Sequence, residues 1–222
     1  FQGSFYVPAK AVKEHEILDV NKIHFILAAV SDSRKIIDDI KALLQKYREA
    51  EHLETFEQYY ERLAISNRFD SAEIIFIKRI LQVELPEHVR SEIVSLLFAK
   101  YVNESESEFA KSLYLTEEQI QEMIKSGMHI GCHGYNHYWW NRLDINSLEN
   151  EIDLSLNFMN ELGVDTAYWT AAYPYGSHSE TVETILNKKG CKMAFTTEVG
   201  IATVAASEKL KMKRFDTNDF PK

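Results

Sequence analysis

From Gly127 onward the chain alternates short apolar runs with segments of helical periodicity, and this alternation limits the folds open to it more than any other feature. Residues 128–132 read as a buried strand. Residues 148–162 read as a helix that Gly163 ends, 167–172 as a strand, and 180–189 as a helix stopped by Gly190. Residues 193–197 and 210–215 are further strand candidates. Strands separated by helices of these lengths indicate parallel βαβ units, whose strand ends all lie at one edge of the sheet. Far upstream, Phe5-Tyr6-Val7 is a short β-type run closed by Pro8.

Between these parts the pattern is helical. Residues 34–50 carry Ile36, Ile37, Ile40, Leu43 and Leu44 at helical spacing, and 53–64 continue with Phe56, Tyr59, Tyr60 and Leu63. Asp70 with Glu73 reads as the start of a helix to about residue 82, Pro86 as a first turn, and Thr116 with Gln119 as a capping box. The expected organisation is the start of an α/β domain over 1–30, a helical insertion over 31–112, and the rest of the α/β domain over 113–222. Apolar stripes need burial, so the inserted helices are expected to pack as a small bundle. That bundle is expected to shape one wall of a substrate groove or to contact a partner protein.

With 222 residues, 45% of them hydrophobic and 27% charged, the chain has enough material for one generous domain or a domain with a large insertion. The formal net charge of −9 argues against nucleic-acid binding, which needs clustered Lys and Arg. No apolar run is long enough to span a bilayer. The two cysteines, Cys132 and Cys191, form no Cys-x-x-Cys pattern and allow at most one disulfide.

The chemistry centres on His133-Gly134-Tyr135-Asn136-His137, directly after the strand at 128–132. Two imidazoles four residues apart converge on one ion if the backbone turns just past the strand end. Imidazole is a preferred ligand of zinc, cobalt, nickel and iron. The alternative is two unrelated loop histidines, and so short a pattern does not by itself exclude it. A second segment, Ala172-Tyr173-Pro174-Tyr175-Gly176, follows the strand at 167–172. Both segments would lie at the carboxyl ends of parallel strands, where α/β folds build their sites.

Taken in order, Phe5-Tyr6-Val7-Pro8, the run Leu115 to Ile120, Ser126 to His137, and Tyr173-Pro174-Tyr175-Gly176 resemble the polysaccharide deacetylase family, carbohydrate esterase family 4. The resemblance implies a distorted, incomplete (β/α) barrel of parallel strands, here carrying an inserted helical bundle. It implies metal-dependent hydrolysis of the N-acetyl group of an amino sugar in a polysaccharide or its precursor, by a water activated on a divalent metal, zinc above all, with cobalt or nickel as substitutes. It places His133 and His137 as metal ligands and the backbone N–H of Tyr175 as a catalytic donor to the oxyanion. Trp139, Trp140 and Tyr173 become candidate substrate-binding residues, because aromatic rings stack on pyranose faces; packing is the competing role for the tryptophans, Trp169 included.

Departures from the family pattern set further expectations. The family's Asp-Asp pair, which supplies its base and third ligand, precedes the segment matching Phe5-Tyr6-Val7, so a chain read from Phe1 is expected to have little deacetylase activity of its own. Asp38-Asp39 lies in a helical pattern and reads as a solvated face. The family's Arg before the Pro-Tyr-Gly turn is replaced here by Ala171 and Ala172. Arg214 either takes that catalytic orienting role or is an ordinary surface arginine. No late His offers a general acid, and His178 is placed at the start of the next helix. A relative that binds glycan without hydrolysing it is the alternative.

Overall fold

The computed structural model describes residues 1–220 except 68–69, 204 and 206–207. The chain divides into two compact units, Ile17–Phe109 and the pair of segments Phe1–Glu16 and Ala110–Lys222. The helical unit therefore begins at Ile17, earlier than the expected residue 31. In chain order the elements are β1 (Ser4–Val7), α1 (Ala9–Lys13), α2 (Asp19–Ala29), α3 (Ser33–Tyr47), α4 (Phe56–Leu63), α5 (Ala72–Arg79), α6 (Glu87–Tyr101), α7 (Glu106–Leu113), α8 (Glu117–Lys125), β2 (His129–Cys132), α9 (Ile145–Glu161), β3 (Thr170–Ala172), α10 (Glu180–Lys188), β4 (Met193–Val199) and β5 (Met212–Arg214).

In the helical unit, local signals start the helices and burial holds them. Thr55 and Gln58 make a reciprocal capping box on α4, each side chain serving the other's backbone N–H. Ser71, and not the expected Asp70, caps α5 by accepting from the Ile74 N–H; Asp70 instead accepts from Lys78 at 2.7 Å. The helix expected to reach residue 82 changes at Ile80 into a π-helical turn, Ile80–Glu84. Ile36, Ile40, Phe76, Ile77, Ile80 and Val89 are fully buried. Lys22 on α2, 4% exposed, is compensated by Glu106 at 2.6 Å and Ser95 at 3.1 Å, as a buried ammonium must be. Asp39 accepts from Lys100 and Tyr101, so this carboxylate is tied up within the bundle, while Asp38 is exposed.

In the α/β unit five strands pair in the order β1-β2-β3-β4-β5, every neighbour parallel. Parallel neighbours need crossovers, and α9 and α10 supply those between β2, β3 and β4. The strand expected over 167–172 is shorter, because Thr166–Tyr168 winds into a single 3₁₀ turn capped by Asp165. The Tyr6 ring of β1 reaches across β2 and meets the Phe195 ring of β4 at a centroid distance of 5.7 Å. Gly131 allows this, since a Cβ there would fall 2.4 Å from the Tyr6 ring. The Tyr6 hydroxyl also meets Thr170 Oγ1 at 3.1 Å. Between sheet and helices lies a core that includes Trp140, Ile152, Trp169, Tyr173 and Leu186.

Cys132 and Cys191 are both free and each 1% exposed. Burial pushes the Cys132 thiol up to about 11 and that of Cys191 up to about 12. The thiolate is the reactive form, so neither cysteine should be modified by an aqueous thiol reagent at pH 8 in the folded protein. Both should react at once in denaturant. Fast labelling of the native protein would reveal local opening of the sheet.

No helix among the described residues is long and apolar enough to cross a membrane.

Candidate metal and deacetylation site

The parallel sheet delivers two loops to its carboxyl edge. β2 ends at Cys132 and passes into His133; β3 ends at Ala172 and passes into the turn Pro174–Gly176. Ser177, 2% exposed, joins them: its hydroxyl donates to the Pro174 carbonyl at 2.7 Å and accepts the Trp140 N–H at 3.0 Å.

His133 and His137 approach until their Nε2 atoms are 3.1 Å apart. His133 Nδ1 lies 2.7 Å from the Ala172 carbonyl oxygen. A carbonyl can only accept, so Nδ1 carries the proton and Nε2 presents its lone pair toward His137. Burial lowers the His133 pKa, the Ala172 hydrogen bond opposes that, and the positive Arg214 adds to it. The neutral imidazole that a metal requires is thereby favoured. Two nitrogens at this separation both lie within reach of one ion making bonds of roughly 2.0–2.1 Å, so the donor pair fits a divalent cation. Among the described residues no group of three or more His, Cys, Asp or Glu is arranged to hold a metal.

The backbone is bent to achieve this. His137 has φ +63° and Tyr175 φ +56°, a region that costs a non-glycine residue roughly 1–2 kcal/mol. Gly134, at φ +77°, packs where a Cβ would stand 3.1 Å from Trp140 Nε1 and 3.4 Å from Glu151 Oε2. The carbonyls of Gly134 and Tyr135 accept the first N–H groups of α1, from Ala9 at 3.1 Å and Lys10 at 3.0 Å. On the opposite polarity, the Glu151 carboxylate accepts the N–H of Tyr135 at 3.1 Å and that of Asn136 at 3.0 Å, together with the Asn136 side-chain amide.

The remaining sequence-nominated residues separate by burial. Trp139 is half-buried and stacks parallel on Tyr175, ring centroids 4.5 Å apart, with Tyr175 in turn 4.6 Å from the His137 ring. Trp140 and Tyr173, 0% and 1% exposed, pack edge to face in the core, and the Tyr173 hydroxyl donates to the Leu210 carbonyl. A sugar ring has no access to either, so these two act as support for the loops. Trp169 is likewise core. Arg214 is exposed at the end of β5 and donates from Nε to the Thr196 carbonyl at 2.9 Å. His178 is half-buried beside Glu183 and Glu198. Glu151, Ser177 and Thr197 were not anticipated. Glu151 left one signal in the sequence, a carboxylate beside Leu148, Ile152 and Ser155 on the inward face of α9.

Gly176 is the most demanding position of the second loop. It has φ +72°, and a Cβ would lie 2.2 Å from Thr197 Oγ1. Gly176→Ala should therefore destabilise the protein by about 1–3 kcal/mol, combining left-handed strain with overpacking. Adding Thr197→Ala should recover part of the loss in thermal melts. Strict additivity of the two substitutions would show that the contact is not what opposes the methyl group.

Comparison with known proteins finds similarity over the segment that carries this site. Among curated proteins nothing matches the chain. The polysaccharide deacetylase family model matches residues 92–194. Of solved structures, a polysaccharide deacetylase from Bacillus cereus is 30% identical, covering 45% of this chain and 31% of its own, with a TM-score of 0.39. IcaB from Ammonifex degensii is 29% identical over 37% of this chain and 40% of its own, TM-score 0.31. The Streptococcus pyogenes deacetylase PplD, in complex with acetate, is 22% identical over 80% of this chain and 79% of its own, TM-score 0.44. The chain spans less than half the length of the first two. The match to the polysaccharide deacetylase family model begins within α6, takes in both histidines and the Pro-Tyr-Gly turn, and ends in β4, so the segment that carries the site is the segment similar to that family.

Proposed function

We propose that this protein removes the N-acetyl group from an amino sugar within a polysaccharide or its precursor, in a metal-dependent hydrolysis on the carboxyl edge of a barrel-like curved sheet. The single observation that carries the reading is the 3.1 Å approach of the two Nε2 atoms, with the His133 tautomer set by the Ala172 carbonyl. His133 and His137 hold the cation, zinc in the first place, with cobalt or nickel as substitutes. A divalent cation so held supplies Lewis-acid polarisation of the acetyl carbonyl and activation of water at neutral pH. The Tyr175 N–H, in the tight turn after β3, donates to the oxygen that becomes negative as the carbonyl turns tetrahedral. Trp139, backed by Tyr175, offers an aromatic surface beside the histidines for a pyranose ring. Arg214, whose positive charge lowers the His133 pKa, helps keep that imidazole neutral for the cation.

The test is acetate release from N-acetylglucosamine oligomers by the full-length natural protein, before and after chelation and again on adding back zinc. Release that stops on chelation and returns with zinc is expected. Release indifferent to chelation would sink metal dependence. A second reading is glycan binding without hydrolysis, favoured by Ala171 and Ala172 where the family pattern has its arginine. Retention on immobilised oligomers with no acetate release under any metal would select it.

A further inference from the structure

We propose that Glu151 is a positioning residue that sets the turn on which His133 and His137 converge; this rests on the metal-binding reading of the pair. The two histidines bracket three residues whose peptide groups are exposed by the left-handed bend at His137 and the positive φ of Gly134. Such a bend persists only where its surroundings over-determine it. Here the over-determination has two halves. The carbonyls of Gly134 and Tyr135 are held by the N-terminal N–H groups of α1. The N–H groups of Tyr135 and Asn136 both point at one carboxylate, that of Glu151, which also takes the Asn136 side-chain amide. Glu151 is 2% exposed, on the inner face of α9, with Oε2 against Gly134 where a Cβ would stand 3.4 Å away.

A buried carboxylate is costly unless its lone pairs are used, and here the Glu151 carboxylate accepts from donors of the segment between the two histidines, the N–H of Tyr135 and the N–H and side-chain amide of Asn136. An acceptor-only group suits that arrangement. A carboxamide in the same place would turn an N–H₂ toward at least one N–H and repel it. These bonds go to the backbone between the histidines and to the Asn136 amide, so the effect of Glu151 on the pair passes through the backbone.

The test compares Glu151→Gln with Ser155→Ala. Ser155 is equally buried on α9, and its hydroxyl bonds the Glu151 backbone carbonyl and the Cys132 thiol at the end of β2 rather than the N–H groups between the histidines. Two readouts are taken below the melting temperature: Zn²⁺ affinity by competition with a chelating dye, and the NOE between the His133 and His137 rings in metal-free protein, whose centroids lie 4.7 Å apart. For Glu151→Gln, zinc affinity should fall about 10–100-fold and the ring–ring NOE should vanish. Ser155→Ala should keep both. A folded Glu151→Gln protein with unchanged affinity and NOE overturns the proposal. If Glu151→Gln does not fold, Asn136→Ala, which removes one donor and leaves the carboxylate, should weaken zinc binding several-fold, and unchanged binding there overturns it too. Should the wild-type protein bind no zinc, the metal-binding reading fails, and the metal-free NOE still decides the role of Glu151.

Discussion

Replacing His133 or His137 with alanine should abolish zinc binding at micromolar metal and lower any zinc-dependent acetate release by about 10³-fold or more. The expected size follows from the Lewis-acid contribution, several kcal/mol of transition-state stabilisation at about 1.4 kcal/mol per tenfold in rate. The two substitutions should not add, because a cation held by one imidazole is already lost. Neither should disturb folding much, since both rings are only half-buried at the strand end. Zinc titration followed by acetate assay on the same preparations checks this. A variant that keeps wild-type zinc affinity with one imidazole removed would show that the 3.1 Å pair is not the metal site.

The largest stability loss should come from Trp169→Ala. Trp169 is 1% exposed in the core of the α/β unit, and its indole N–H donates to the Lys189 carbonyl at 3.0 Å. Truncating a buried aromatic costs about 3–5 kcal/mol, a large share of the roughly 5–15 kcal/mol that holds a domain folded. Urea denaturation should show a much lower midpoint at nearly unchanged slope. Trp139→Ala, at a half-buried position, should cost far less stability and should act on glycan binding instead. Equal losses for the two would contradict the burial that separates them.

The contrast between these tryptophans shows where local pattern stops being informative. Trp139 and Trp140 are neighbours with the same chemistry, and both were nominated to face substrate. One stacks on Tyr175 beside the histidines, while the other is buried against Tyr173, because the 3₁₀ turn Trp140–Arg142 aims successive side chains in different directions. Boundaries behaved similarly. Thr116 and Gln119 were legible as a capping box because both partners lie within one turn of each other. The short helix α1 was not, since Pro8 makes no side-chain cap and five residues carry little periodicity.

What the sequence determined by itself was the parallel α/β alternation, the order of the motifs, and the placing of His133 and Pro174 directly after strands. These rest on interactions between residues close in the chain: periodic burial, caps, and turns that only certain residues can make. What the tertiary structure alone decided was the use of those parts. The contact of Tyr6 with Phe195, the tautomer imposed by Ala172, the link through Ser177 and the carboxylate of Glu151 beneath the histidine turn all join residues from different elements. Such contacts depend on how helices and strands pack together, and a buried carboxylate gains its partners only when a distant loop presents its N–H groups to it.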